Sequence, residues 1–429
     1  MKKRGYGKRG WALIIYMFLL YFCTIAMVNS VNIMAPFLSA TRGWNAAAIT
    51  STYTWAGLVA VILQFALATW LIKHSYKKTA LVFGLIFILA SILFGFVGSM
   101  WQYVLLMIVI KMAQVGWGLP TGYMVSNWFP TRQGTVMGLT TFGVPLAAGF
   151  GMAIMAALLG KGMFASYLPF IVIAVVVLLI QQIFLADNPE QVGCYPDNNP
   201  DLSKADLEAQ LAEQQKLKAE CPWTVKRVLS CCDAWFFVIP LGFIQLGAVG
   251  FMTQISSVLI AVDAAFYEQF GVMVLTGVSV VACIGSYICG VLDEKFGTKT
   301  AIFVTSVLMV AACGLSMTGN LTCTLIAMLF LAVFMGGGSN YMISGVVRYW
   351  KRSGYGNVVR VLLPICDILS SLGPMLIAYI AMTRLGYTGS FLTIGVLGIL
   401  GAILVLFMKP GRIEAKEAVY KQTDAAAKR

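Results

Sequence analysis

The sequence predicts an all-α membrane protein, with twelve transmembrane helices arranged as two pseudo-symmetric six-helix bundles. Three observations predict it. Hydrophobic residues make up 59% of the 429 positions and charged residues only 11%, a balance suited to folding in lipid rather than water. Apolar runs of about 20 residues, the length a helix needs to cross a bilayer, recur along the chain. One long polar segment, 187–233, divides these runs six and six.

The elements follow in chain order. The N-terminus, MKKRGYGKRG, is basic like the start of a signal peptide. The run behind it, 11–38, is long enough to span a bilayer and has no small-residue cleavage site, so it is expected to stay as span one. Spans two to six are expected at 46–72, 79–99, 101–126, 134–158 and 164–186. Spans seven to twelve are expected at 234–259, 267–291, 301–319, 321–346, 357–382 and 388–408. The 42 glycines spread through these runs suit helices that approach closely or bend. The expected domains are an N-terminal bundle (1–186), a cytoplasmic linker (187–233), a C-terminal bundle (234–408) and a cytoplasmic tail (409–429). Within the linker, SKADLEAQLAEQQKLKAE has Ser203 and Asp206 at capping-box-like spacing and Leu207, Leu211 and Leu217 among charges, predicting a short amphipathic helix.

The basic residues predict orientation. With the N-terminus in the cytoplasm, 25 of the 30 Lys and Arg fall in the N-tail, the even-numbered loops, the linker and the C-tail. The opposite side then holds only Arg42, Lys161 and Arg384. This asymmetry places both termini in the cytoplasm of a multi-pass plasma-membrane protein. The net charge of +13 follows mainly from the same sorting, which points to anionic membrane lipids as contacts and not to nucleic acid.

Enzyme chemistry has little to work with. The single histidine, His74, falls in a loop, which leaves no histidine-based metal site or catalytic triad. The ten cysteines lack paired C-x-x-C spacing, and no phosphate-cradling loop is present. No cofactor or metal is expected. Any work done on a solute would draw on ion or solute gradients, and the chain is expected to act as a monomer.

The two halves carry related loops. GVLDEKFGTKTA (290–301) follows span eight, and TWLIKHSYKKTA (69–80) follows span two. The first resembles the loop motif of the major facilitator superfamily through Asp293, Lys295, Gly297 and Lys299. The second is a degraded copy, with Ile72 and Tyr76 in the places of Asp293 and Gly297. GWG (116–118) followed by NWFPTRQG likewise pairs with GGG (336–338) followed by RYWKRSGYG. Six plus six spans with repeated loops is the arrangement of that superfamily. NWFPTRQGTVMGLTTFG, DNPEQVGCYPDNNP and TVKRVLSCCDAWF further resemble its oxalate/formate antiporter branch, a relative of the monocarboxylate transporters. This resemblance implies carriage of small carboxylates or related organic anions by alternating access, by proton symport or anion exchange. It also implies a cytoplasmic gate at Asp293, Lys295, Gly297 and Lys299. The pattern departs from carboxylate carriers in two places: 271–291 contains no basic residue, and Asp367 stands mid-span where a basic residue is expected.

Charge placement identifies candidate site residues. All 17 acidic residues lie at or beyond Asp187, so Lys111, in span four, has no acidic neighbour in its own bundle. At 1.5 Å per residue it lies roughly 15 Å into the span, where a lysine costs about 2.5 to 3.5 kcal/mol. Gln114, Val115 and Gly118 share its face by helical spacing. Asp367 lies at similar depth in span eleven, and Arg360, two turns earlier on the same face, is its candidate charge partner, close enough to the surface to snorkel.

Three readings compete for Lys111 and Asp367. They form a structural lock between bundles; or Lys111 binds an anion while Asp367 carries a coupled proton; or together they hold the two ends of a zwitterion such as an amino acid or betaine. Gln245 at mid-span, Asn29 and Trp117 are further candidates for contact with substrate. For the asparagine and glutamine, helix-to-helix hydrogen bonding is the competing role, and for the tryptophan it is core packing. A non-transporting membrane sensor gives no reason for opposed midplane charges. By the repeat, Asp293 is expected to face the start of span five near Gly134 and Thr135, with a helix N-terminus as its partner.

Overall fold

Four spans begin where a polar side chain takes over orphan N–H groups of the helix start. The computed structural model describes residues 6–71, 74–129, 136, 139–198 and 221–427. Asn45 accepts from the Ala48 N–H at 3.1 Å and opens α2 (Ala46–Trp70). Ser75 does the same from Lys78 at 3.3 Å for α3 (Tyr76–Phe94). Asp263 caps α8 (Ala264–Phe296) and Asn320 caps α10, which begins at Leu321. Each cap marks a turn between apolar runs.

The remaining spans are α1 (Gly7–Arg42), α4 (Met100–Trp128), α5 (Leu139–Leu159), α6 (Met163–Phe184), α7 (Cys232–Met252), α9 (Thr298–Ser316), α11 (Gly354–Ala381) and α12 (Gly386–Leu406). Among the described residues, eleven helices are long and apolar enough to cross a membrane, and the apolar stretch Leu321–Val333 of α10 is the shorter twelfth. Twelve crossings bring both chain ends to one face, here called the terminal face; the other is the far face. Helical hydrogen bonding continues from α10 into α11, broken in geometry at Lys351, whose backbone sits at φ 60°, ψ 171°. A residue with a Cβ pays strain there.

Two spans are interrupted near the far face. α1 breaks at Ser30, and α7 ends at Met252 before a further helix, Ile255–Val262. The breaks face each other across the two halves. Asn29 Nδ2 donates to Met252 Sδ at 3.5 Å, and the Ser256 N–H donates to Asn32 Oδ1 at 3.2 Å. A helix start leaves donors such as Ser256 N–H unpaired, and Asn32 supplies the missing acceptor from the other half.

The tail is a helix, α13 (Pro410–Ala427), docked on the terminal face. Ile413, Glu417 and Tyr420 turn inward at helical spacing, with Ile413 and Glu417 buried. Buried Asp233, at the start of α7, accepts from the Lys409 N–H and the Arg412 guanidinium, both at 2.8 Å. Arg227 grips Asp424 through two bonds of 2.7 and 2.6 Å and lies over the Tyr420 ring at 4.6 Å. Trp223 stands edge-on to both Trp350 and Tyr420, at 6.2 and 5.6 Å. Glu417 lies 3.7 Å from Lys351, the strained residue between α10 and α11. The amphipathic helix expected at 203–220 lies outside the described residues.

Candidate functional site

One face of α2 touches both candidate charges. Tyr53, Gly57 and Gln64 fall on it at helical spacing, while Trp55, Ile62, Phe65 and Trp70 form the exposed opposite stripe. Gly57 is required by contact: a Cβ there would collide with Ser371 Oγ of α11. The two halves thus meet backbone to side chain beside the site. A matching contact joins α5 to α8, where a Cβ on Gly149 would collide with Ser279 Cβ and sit 2.6 Å from the Leu275 carbonyl. Here α5 widens into a π-helical turn, Ala147–Gly151, and the Pro145 carbonyl accepts from the Ser279 hydroxyl. Such turns recur at functional sites.

Lys111 is half-buried on α4, and its ammonium lies over the Tyr53 ring, 4.9 Å from the centroid. Asp367 is half-buried on α11, with the Gln64 side chain of α2 beside it and the Lys111 charge within electrostatic reach. The described ion pairs within 4.0 Å are Arg227–Asp424, Arg348–Asp293, Lys351–Glu417, Arg412–Asp233 and Lys421–Glu417. Lys111 and Asp367 therefore form no direct bridge. Tyr53 and Gln64 are eleven residues apart, roughly 16 Å along the helix, so α2 holds the cation and the anion at different depths.

Arg360 forms no ion pair with Asp367 within 4.0 Å among the described residues. It is half-buried nearer the terminal face, and its charge acts on Tyr123 of α4 across the two halves. Gln114, one turn past Lys111, is half-buried, and its Oε1 is buried with no hydrogen-bond partner among the described residues. Gln245 is half-buried on α7 and makes no hydrogen bond with the described residues.

Two further candidates are engaged in other contacts. Trp117 is fully buried in the N-terminal half, where its Nε1 donates to Tyr16 at 3.0 Å and Gln181 at 3.1 Å. Six residues at 100° each put it about 120° around α4 from Lys111. Asn29 ties α1 to α7 through Met252, so its amide is used in the seam between halves.

The terminal-face loop behaves as a clasp within the C-terminal half. Asp293 accepts from Thr298 Oγ1 at 2.6 Å, while Arg348 of α10 donates to its carbonyl at 2.9 Å and stands 3.7 Å from its carboxylate. Gly297 holds φ 87° at the sharp turn between α8 and α9, and a side chain there would be strained. Lys299 Nζ donates to the Leu406 and Met408 carbonyls at the end of α12, at 2.8 and 2.9 Å. Lys295 is exposed in the last turn of α8. Gly134 and Thr135, the expected partners of Asp293 in span five, lie outside the described residues.

Sequence reading did not single out Tyr53 or Gln64. An aromatic in an apolar run carries no contrast that marks it, and Gln64 is one of several buried polar residues along the spans.

Comparison with known proteins places this geometry in context. A family model described as Major Facilitator Superfamily matches residues 17–354. No curated relative matches the chain. Among solved structures, a bacterial homologue of the human lysosomal transporter Spinster, inward-facing and unoccupied, aligns with a TM-score of 0.63 at 14% identity, over 96% of this chain and 99% of that one. A point mutant of the nucleoside transporter NupG aligns with a TM-score of 0.65 at 12% identity, over 92% and 99%. At these identities the likeness is one of fold.

Proposed function

The chain belongs to the Major Facilitator Superfamily, and from that premise we propose that it carries a small carboxylate or related organic anion across the plasma membrane by alternating access. The observation that carries this reading is Lys111: a half-buried cation on α4, in a half with no carboxylate, faced by Asp367 of the other half without a bridge between them. A substrate carboxylate entering between the halves supplies the counter-charge that Lys111 lacks. Gln114 and Gln245 add polar contacts on either side. Asp367 then takes and releases the coupling proton, because a carboxylate between α2 and α11 feels both the arriving anion and the movement of the halves.

The sorting of Lys and Arg toward the terminal face supports a cytoplasmic position for both termini. The Asn29–Met252 and Asn32–Ser256 contacts then form the outer seal, and this conformation is closed to the outside. Transport requires those contacts to part while the Gly57–Ser371 and Gly149–Ser279 contacts let the halves rock.

A second reading rests on the separation of the two charges. A cation and an anion held apart also suit a zwitterion such as an amino acid or betaine. A thermal-shift panel of the purified protein against monocarboxylates, dicarboxylates, amino acids and betaines separates the two, since a ligand that binds the folded state raises its melting temperature. Selective stabilisation by carboxylates that disappears in Lys111→Met supports the anion reading, and selective stabilisation by zwitterions replaces it. No solute uptake by proteoliposomes with any compound of the panel would count against transport.

A further inference from the structure

We propose that Tyr53 is a positioning residue for Lys111: its ring face is the resting partner of the ammonium in the empty protein and gives way to the substrate anion. The inference rests on the reading of Lys111 as the anion-binding group and adds how that group is kept ready.

Four observations lead there. The N-terminal half contains no Asp or Glu before Asp187, so no carboxylate of that half can pair with Lys111. The Lys111 ammonium lies 4.9 Å from the ring centroid of Tyr53, a residue only 7% exposed. Asp367, the candidate anion of the other half, makes no bridge to it within 4.0 Å and has the Gln64 side chain beside it. Tyr53 also sits nearer the far face than Lys111: about 10 Å into α2 against about 16 Å into α4. The lysine therefore leans toward the far face to reach the ring.

The chemistry of the pair explains its use. An aromatic face attracts a cation through its quadrupole and carries no net charge. Lys111 is thus held in one place while its positive charge stays uncancelled. A carboxylate in the same position would neutralise the lysine and compete with an incoming anion, and an aliphatic side chain would leave the ammonium buried without a partner. A ring avoids both outcomes. The substrate carboxylate is the stronger partner, so exchange of ring for anion is favourable only when an anion is present.

The test uses the purified full-length protein with Tyr53→Phe, Tyr53→Leu, Tyr53→Met, Lys111→Met and the Tyr53→Leu, Lys111→Met double variant. The melting temperature of the empty protein reports the contact itself: Tyr53→Leu lowers it in the wild-type background and by clearly less once Lys111 is replaced by methionine. Calorimetric titration with oxalate and with lactate reports its consequence. Tyr53→Phe keeps affinity within about twofold, since the ring remains, whereas Tyr53→Leu weakens it at least about fivefold. In the Lys111→Met background Tyr53→Leu has no further effect on binding. Tyr53→Met, whose longer and more flexible side chain fills an irregular gap better, replaces Tyr53→Leu if the latter does not fold.

Additive melting shifts overturn the proposal, and so does unchanged affinity in Tyr53→Leu when Lys111→Met has lost binding. Wild-type affinity in Lys111→Met instead removes the anion-site reading, while non-additive melting still leaves Tyr53 as the lysine's partner. If neither probe binds the wild-type protein, the melting cycle alone decides.

Discussion

Lys77 and Lys299 occupy the second position of α3 and α9, and each ties off the last helix of its own half. Lys77 Nζ donates to the Gln182 and Leu185 carbonyls at the end of α6, at 2.9 and 2.8 Å. Lys299 does the same to Leu406 and Met408 at the end of α12. A cation is favoured there because carbonyls at a helix C-terminus are unpaired and sit at its negative end. The repeat that joins the halves is therefore one of function, set by place in the helix.

Replacing either lysine by Met should release the end of the helix it holds. Both lysines are half-exposed, so each substitution is expected to cost about 1 kcal/mol of stability. Melting of Lys77→Met and Lys299→Met in one detergent should show shifts of similar size. A large loss in only one of them would show that the halves do not share this device.

The same pair shows what the sequence can and cannot reveal. Aligned by letters, TKTA matches KKTA and sets Lys299 against Lys78; aligned by helix caps, Gly297 matches Ser75 and Lys299 matches Lys77. Counted back from the caps, Leu71, buried, holds the place of Asp293, not Ile72. Residue identity alone does not fix a cap, and the register slips by one. Lys111 and Asp367 were legible because a charge in an apolar run stands out against its neighbours. Tyr53 was not, since a ring is at home in such a run, and neither was the docking of α13, whose inward stripe of Ile413, Glu417 and Tyr420 is too short to mark a periodicity. Trp117, for which core packing was the competing role, is buried in the N-terminal half, where it bonds Tyr16 and Gln181.

The docked tail yields a stability prediction. Trp223 is fully buried against Trp350 and Tyr420, and Trp223→Ala should cost about 3 to 5 kcal/mol, as loss of a core aromatic does. Asp424→Ala removes a partner of Arg227 at the exposed edge of the same cluster and should have a far smaller effect. Comparative thermal melts of the two variants check this. Equal melting temperatures would mean that α13 does not dock as described.

Gly149 should permit the close approach of the halves on which their movement depends. Any side chain there meets Ser279 and the Leu275 backbone, and backbone cannot give way as a flexible side chain can. Gly149→Val is expected to part α5 from α8 and shift the protein away from this conformation. A single cysteine replacing Asn32, in the seam between α1 and α7, should then react faster with a membrane-impermeant maleimide. Unchanged labelling would place the pivot elsewhere.

Asp367 is the remaining test, because it separates coupling from binding. If it carries the proton, Asp367→Asn should abolish uptake driven by a pH gradient, since an amide cannot take up and release a proton at that site. Exchange of labelled for unlabelled substrate needs no net proton movement and should persist at a similar rate. Gln64, beside it on α2, can bond an amide as well as a carboxylate, and Asn has the shape of Asp, so the substitution leaves the local packing intact. Loss of both activities together would make Asp367 a structural member of the seam with α2. Unchanged pH-driven uptake would remove it from the transport cycle and leave Lys111 as the sole charge in the mechanism.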